Sequence, residues 1–352
     1  MKRKLKIGLL VCIVIWLASL WVSPLLFFLL AGLGSLVVFG IAFLLIANQF
    51  LKKTNWYKNH FVFTTQFVSN AGYRDNLIRN YDLVNLGSNP ARFSFFYESI
   101  NAQNWSTGTQ GFDMDLEILK FFHSYIKEGG FVLIPIVPFS SISSYLKLEH
   151  MPLDYIVKFA AILDSYQTKN LPNGQKAIRW IKYPLLLEPK SIIYLFHDIE
   201  KDRRKELSEQ IMESIDLEMD AESWMKCWKE EFHIQNLELP LNAEMLQYRQ
   251  KSVQDLQAII NFCLERSLKP VIVIPPMSPI LSSKFTSNMR EIFIYSFIKQ
   301  ANTQQIPFLD YLDDKQFADT NLYFNSFFLN LNGRKRFTQQ VLKDLNLTNI
   351  SE

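Results

Sequence analysis

From Ile7 to Leu51 the chain runs for 45 residues without a formal charge. As one α-helix that stretch would be about 67 Å long at about 1.5 Å per residue, against a bilayer hydrocarbon core of about 30 Å. It is too long for the apolar region of a signal peptide. Two spans fit better than one, with a turn at Ser23-Pro24 or at Gly32-Leu33-Gly34, so residues 1–53 are expected to form a transmembrane helical hairpin. The competing picture is one tilted span with an interfacial or re-entrant piece.

Charge bears on orientation. Lys2, Arg3, Lys4 and Lys6 precede the apolar run, and Lys52, Lys53 and Lys58 follow it. The positive-inside bias therefore favours a multi-pass protein of the cell membrane with both ends of the hairpin, and the domain that follows, in the cytoplasm. The single-span picture would place that domain outside the cytoplasm. Six of the 37 basic residues lie in the first 53 positions, where there is no acid. The remaining 31 face 34 acidic residues, so the rest of the chain is slightly acidic and offers no general attraction for nucleic acid. Three scattered cysteines, Cys12, Cys227 and Cys263, make neither a disulfide framework nor a zinc site. Cys12 and Cys263 read as small core residues.

Beyond the connector, residues 54–352 alternate β-rich runs with helical patterns, as in a parallel sheet with crossover helices. Expected strands are Tyr81 to Leu86, Phe131 to Val137, Pro270 to Pro275 and Ile306 to Tyr311, with Pro135 marking a strand end. Expected helices are Leu116 to Lys127, closed by Gly129-Gly130, then Val253 to Arg266, a segment striped by Met289, Ile292, Phe293 and Phe297, and a last one striped by Phe337, Val341, Leu342 and Leu345. Residues about 140–245 are less regular. They read as a helical insertion whose charged stretch, Asp198 to Asp220, is either a solvated face or a partner-binding surface.

Three stretches together resemble the SGNH/GDSL hydrolase superfamily, and within it the membrane-anchored branch associated with bacterial cell-envelope polysaccharides and teichoic acids. Asn85-Leu86-Gly87-Ser88-Asn89 is similar to the nucleophile turn after the first strand. Asn104-Trp105-Ser106-Thr107-Gly108-Thr109-Gln110 resembles the glycine block that helps to bind an oxyanion. Leu322 to Thr338 resembles the final block, in which such proteins carry Asp-x-x-His before the terminal helix. The resemblance implies an α/β fold with a flavodoxin-like parallel sheet flanked by helices. It puts Ser88 at the nucleophile position and Gly87, Asn89, Gly108, Gln110 and Asn330 around the oxyanion or ligand. No cofactor is expected, and without a convergent third ligand beside the carboxylates no metal is expected either.

In that chemistry a serine attacks an acyl carbonyl, a histidine takes its proton and a carboxylate orients the histidine. Here Asn325 stands at the position of the Asp and Phe328 at that of the His. Phenylalanine accepts no proton, and in subtilisin the loss of the base alone costs about a millionfold in turnover. A replacement would have to come from His60, His123, His150, His197 or His233. Ser88 and Asn89 also have a local reading, as caps of the next helix with Pro90 in its first turn. Asp113 and Asp115 read as acids favoured by a helix N-terminus, and Asp310, Asp313 and Asp314 as turn residues.

The expected function is a catalytically impaired protein of bacterial envelope polysaccharide metabolism that binds a glycan, a lipid-linked polysaccharide or an envelope-assembly enzyme. The alternatives are an active esterase or O-acyltransferase that uses Ser88 with a relocated base, and a hairpin-anchored scaffold.

Overall fold

In the computed structural model, residues 23–57, 79–143, 152–197 and 211–347 are described, apart from 99, 107, 109, 160–162 and 164. They fall into two compact units, residues 1–57 with 179–199, and residues 58–178 with 200–352.

In the first unit α1 (Pro24–Leu51) is one unbroken helix of 28 residues. Ser23 caps it in extended backbone, and Pro24 takes the first helical position, where the missing N–H costs nothing. Gly32 and Gly34 lie inside this helix, so the expected turn at Gly32-Leu33-Gly34 does not form. A hydrogen-bonded helix carries two glycines at a cost of about 1 kcal/mol each, far less than exposing a turn's backbone groups in an apolar run. The alternative turn at Ser23-Pro24 is where α1 begins. The first expected span lies outside the described residues, so the chain has one described helix, Phe28–Leu51, long and apolar enough to cross a membrane. Its side chains Phe28, Leu36, Val38 and Phe39 are largely exposed.

The second unit is built on five parallel strands, β1 (Tyr81–Asn85), β2 (Ala102–Asn104), β3 (Ile126–Pro135), β4 (Lys269–Ile274) and β5 (Phe308–Asp310), in the spatial order β2-β1-β3-β4-β5. This is the order of flavodoxin-like sheets, in which β1 and β3 carry connections leaving in opposite directions. The KPVIVI sequence of β4 is buried from its second residue on, as expected for a strand covered on both faces. Leu83, Leu133, Val271 and Val273 point into one core, closed by Phe95, Tyr311, Phe317, Tyr323 and Phe337. Val84, Val132, Ile134, Ile272 and Ile274 alternate with them and are buried as well.

Six helices position the site. They are α2 (Asn89–Arg92), α3 (Phe112–Phe122), α4 (Ser214–Glu231), α5 (Ala243–Leu264), the π-helical turn Glu291–Tyr295 leading into Ser296–Ala301, and α6 (Leu331–Asp344). Helix α3 starts earlier than the sequence suggests, after Gly111, and ends earlier because Ile126 pairs with Tyr81 and is drawn into β3. The expected C-terminal stop at Gly129-Gly130 therefore lies within a strand, with Gly129 at φ +71°. Pro135 does end its strand. The π turn leaves carbonyls unmatched by a regular ladder, and Arg249 donates to Ile292 O at 2.9 Å while Ser296 Oγ donates to Glu291 O at 2.5 Å. Cys263 is fully buried in α5, as expected, and Cys227 is exposed. Cys12 lies outside the described residues.

Candidate functional site

The site begins at the carboxyl end of β1. Leu86 N donates to Leu133 O at 3.0 Å, and the chain then turns sharply at Gly87, whose φ of +105° favours glycine. A Cβ there would come within 2.9 Å of the Ala91 Cβ. The turn lets α2 fold back against the sheet and leaves Ser88 as its N-cap residue, with no side-chain capping bond. The local capping reading thus holds for position, with Ser88 at the N-cap and Pro90 in the first turn, and not for a side-chain bond. Ser88 lines a cleft of about 20 Å³ together with Gly87, Gln110, Phe112, Asp115 and Pro135, among others. That is room for one water-sized group. The lining comes from the loops after β1, β2 and β3, at the β1/β3 switch point where such sheets place ligands.

Asp115 is the central charge of this cleft. Its Oδ1 accepts from Gly87 N at 3.0 Å and from Gln110 Nε2 at 2.5 Å. Gln110 Nε2 also lies 3.4 Å from Trp105 O. The carboxyl is 2% exposed, and burial, with a smaller push from Asp113, raises it from 3.8 to about 7 despite those two donors. Asp115 does stand in the first turn of α3, as the helix-dipole reading expects, but it is buried there rather than solvated. A signal was present, since Asp115 falls on the same helical stripe as Phe112, Ile118, Leu119 and Phe122, an ionisable group on an otherwise apolar face.

A second polar network fixes the turn from behind. Asn85 Nδ2 donates to Asn104 Oδ1 at 2.9 Å, Tyr97 Oη donates to Asn85 Oδ1 at 3.0 Å, and Asn104 Nδ2 donates to Arg92 O and Phe95 O at 3.3 Å. Ser106 donates to Asn104 Oδ1 through both its N–H and its hydroxyl. All of these side chains are buried. The network ties β1, β2 and the segment after α2 into one piece, so that the position of Ser88 is set by the sheet.

The other residues singled out by sequence distribute unevenly. Gln110 joins Gly87 and Ser88 in the cleft. Asn89 is exposed on α2, and Gly108 is buried outside the cleft lining. Asn330 is spent on structure: its Oδ1 accepts from Gly333 N at 3.0 Å as the N-cap of α6, and its Nδ2 donates to Asn321 O at 2.7 Å. Asn325 Oδ1 accepts from Phe327 N at 3.0 Å and Phe328 N at 2.7 Å, closing a local turn. The Phe328 ring stacks on Phe93, just after α2, with centroids 5.0 Å apart and planes 22° apart. It also meets Phe324, Phe327 and Trp224. Trp224 is supplied by α4, from the middle region, and Asp220 of the same helix binds the backbone and hydroxyl of Ser326. Phe93, Phe324, Phe328 and Trp224 are all partly exposed, so they form an aromatic patch that reaches solvent.

Among the described residues no histidine lines the cleft. His123 follows α3, with its Nδ1 3.1 Å from Lys120 O and its ring edge-on to Phe262, rather than on a buried helix face. His197 belongs to the first unit, and His233 is exposed after α4. His60 and His150 lie outside the described residues, as does most of the Asp198 to Asp220 stretch. Asp310 is the last residue of β5 and accepts from Leu312 N at 3.0 Å, Asp313 lies in the turn that follows and pairs with Arg290, and Asp314 accepts from Gln316 N at 2.9 Å. Among the described residues there is no group of His, Cys, Asp and Glu that could hold a metal. The chain matches no protein-family model, and no curated protein matches it.

Proposed function

We propose that this is a membrane-anchored, SGNH-like protein of bacterial envelope polysaccharide metabolism that binds a glycan, or the glycan end of a lipid-linked intermediate, without hydrolysing esters by the usual triad. The observation that carries this reading is Phe328. Its partly exposed ring stacks on Phe93, while Asn325 is used up in capping two amides. An aromatic surface replaces the proton acceptor and its orienting acid. Flat apolar rings, with a small polar cleft in the same unit, suit a sugar, which offers C–H faces to the rings and hydroxyls to Ser88, Gln110 and Asp115. The cleft takes one small group, so the body of a larger ligand lies across the rings.

The test combines binding and chemistry on the full chain in detergent. Titration with envelope oligosaccharides should give binding that Phe328→Ala and Trp224→Ala weaken by about tenfold, roughly 1.4 kcal/mol, with no ester hydrolysis dependent on Ser88. A hydrolytic rate abolished by Ser88→Ala would sink the proposal.

One observation favours a second reading, an active esterase or O-acyltransferase. Asp115 titrates near neutrality in the same cleft as Ser88. There the carboxylate would take the Ser88 proton as the oxygen attacks an acyl carbonyl, and the rate would rise with pH through about 7. In that case a fluorophosphonate labels Ser88 in the wild type and not in Asp115→Asn.

A further inference from the structure

In the first unit the last turns of α1 differ from the rest of the helix. Val37, Val38, Phe39 and Ile41 are more than half exposed, whereas Ala47, Asn48 and Leu51 are at most 4% exposed. They are covered by a segment remote in sequence, the short helix Pro184–Leu187 and the 3₁₀ turns Pro189–Leu195, both of which pack on α1. The join is specific. Helix Pro184–Leu187 has no side-chain cap of its own, and Asn48 Oδ1 accepts from Leu185 N at 3.0 Å. The Asn48 amide nitrogen donates to Leu44 O at 2.7 Å, so this buried side chain is satisfied on both sides. Trp56 stacks on Tyr194 with centroids 5.1 Å apart and planes 15° apart, and Tyr57 Oη donates to Ile181 O at 3.0 Å.

Length fixes where this happens. At about 1.5 Å per residue α1 extends about 42 Å, some 12 Å beyond a hydrocarbon core of about 30 Å. A span that fills the core leaves its final turns at the headgroup level. Trp56, Tyr57, Tyr183 and Tyr194 gather there, with Lys52, Lys53, Lys182 and Lys190 against Glu188, the one acid among the described residues of this unit. Amphipathic aromatic rings and cations are the side chains that membrane interfaces select. On the side not covered by α1, Ile193 is 58% and Phe196 85% exposed.

We infer that Pro184–Phe196 is an interfacial membrane-binding element, seated on the end of α1 through Asn48, that sinks Ile193 and Phe196 into the headgroup boundary of an anionic bilayer. The inference rests on α1 spanning that bilayer. It gives the chain a second, reversible contact with the membrane, which would fix the orientation of this unit at the surface.

The full chain carrying Cys12→Ala, Cys227→Ser and Cys263→Ala is placed, one copy per disc, in nanodiscs containing phosphatidylglycerol. A single environment-sensitive dye is attached through Phe39→Cys, Ile193→Cys or Phe196→Cys, and spin-labelled lipids act as quenchers. The expected result is strong quenching at all three positions, deep at 39 and shallow at 193 and 196, with a loss of at least half the quenching at 196 when Asn48→Ala is added. Quenching at 39 but not at 193 or 196 overturns the inference and leaves the span intact. No quenching at 39 removes the span itself, and the inference with it. Shielding of position 196 that appears only in discs loaded with two copies, and not with one, also overturns it.

Discussion

Replacing Asp115 by Asn tests the electrostatics of the cleft directly. The folded carboxyl sits at about 7 because burial outweighs the hydrogen bonds from Gln110 and Gly87, against an ordinary 3.8. Between those two pH values the folded chain holds a proton that the unfolded chain has released. The stability contributed by this group is therefore greatest below about pH 4, falls as pH rises, and levels off above about 7, with a slope of about 1.4 kcal/mol per pH unit and a full range on the order of 4 kcal/mol. Asn keeps an oxygen for the Gly87 amide and does not titrate. Denaturant unfolding of the full chain in detergent, followed by tryptophan fluorescence from about pH 5 to about pH 8, should show wild type losing ground to Asp115→Asn by roughly 2 to 3 kcal/mol up to neutrality and then running parallel. A pH-independent difference would refute the reasoning. So would wild type gaining on the variant as pH rises, since the hydrogen bonds rather than burial would then dominate.

Gly87→Ala should destabilise by about 1 to 3 kcal/mol in the same assay, because it imposes both a strained φ and a 2.9 Å approach to Ala91; an unchanged midpoint would mean that the turn relaxes freely. Ser88→Ala should stay within about 0.5 kcal/mol of wild type, as the hydroxyl makes no capping bond, and a loss of 1 kcal/mol or more would restore the capping reading. In folded protein a maleimide should modify exposed Cys227 and spare Cys263, whose thiol burial pushes up to about 12. Mass spectrometry of the labelled peptides checks this, and labelling of Cys263 without denaturant would show that α5 opens.

Arrangements that depend on neighbouring residues were legible without coordinates. The buried run of β4, the stop at Pro135 and the strand-to-turn passage at Gly87-Ser88 each follow from side-chain chemistry within a few positions, and so does the apolar character of α1. Order along the chain also conveyed a parallel sheet, because alternating strands and helices have few other ways to bury both kinds of face. Tertiary structure decided the rest. Ile126 left its helical pattern because Tyr81 offered it a strand partner. Asp115 became a buried titrating group as well as a helix-end acid because parallel pairing of β1 with β2 and β3 brings the turn after Asn85 onto α3, 28 residues away. Asn48 capped Leu185 across 137 positions, a contact that no local pattern encodes. Hydrophobic periodicity reports which face of an element is buried. It is silent on which remote groups share that burial, and it is this company that sets pKa, capping and access.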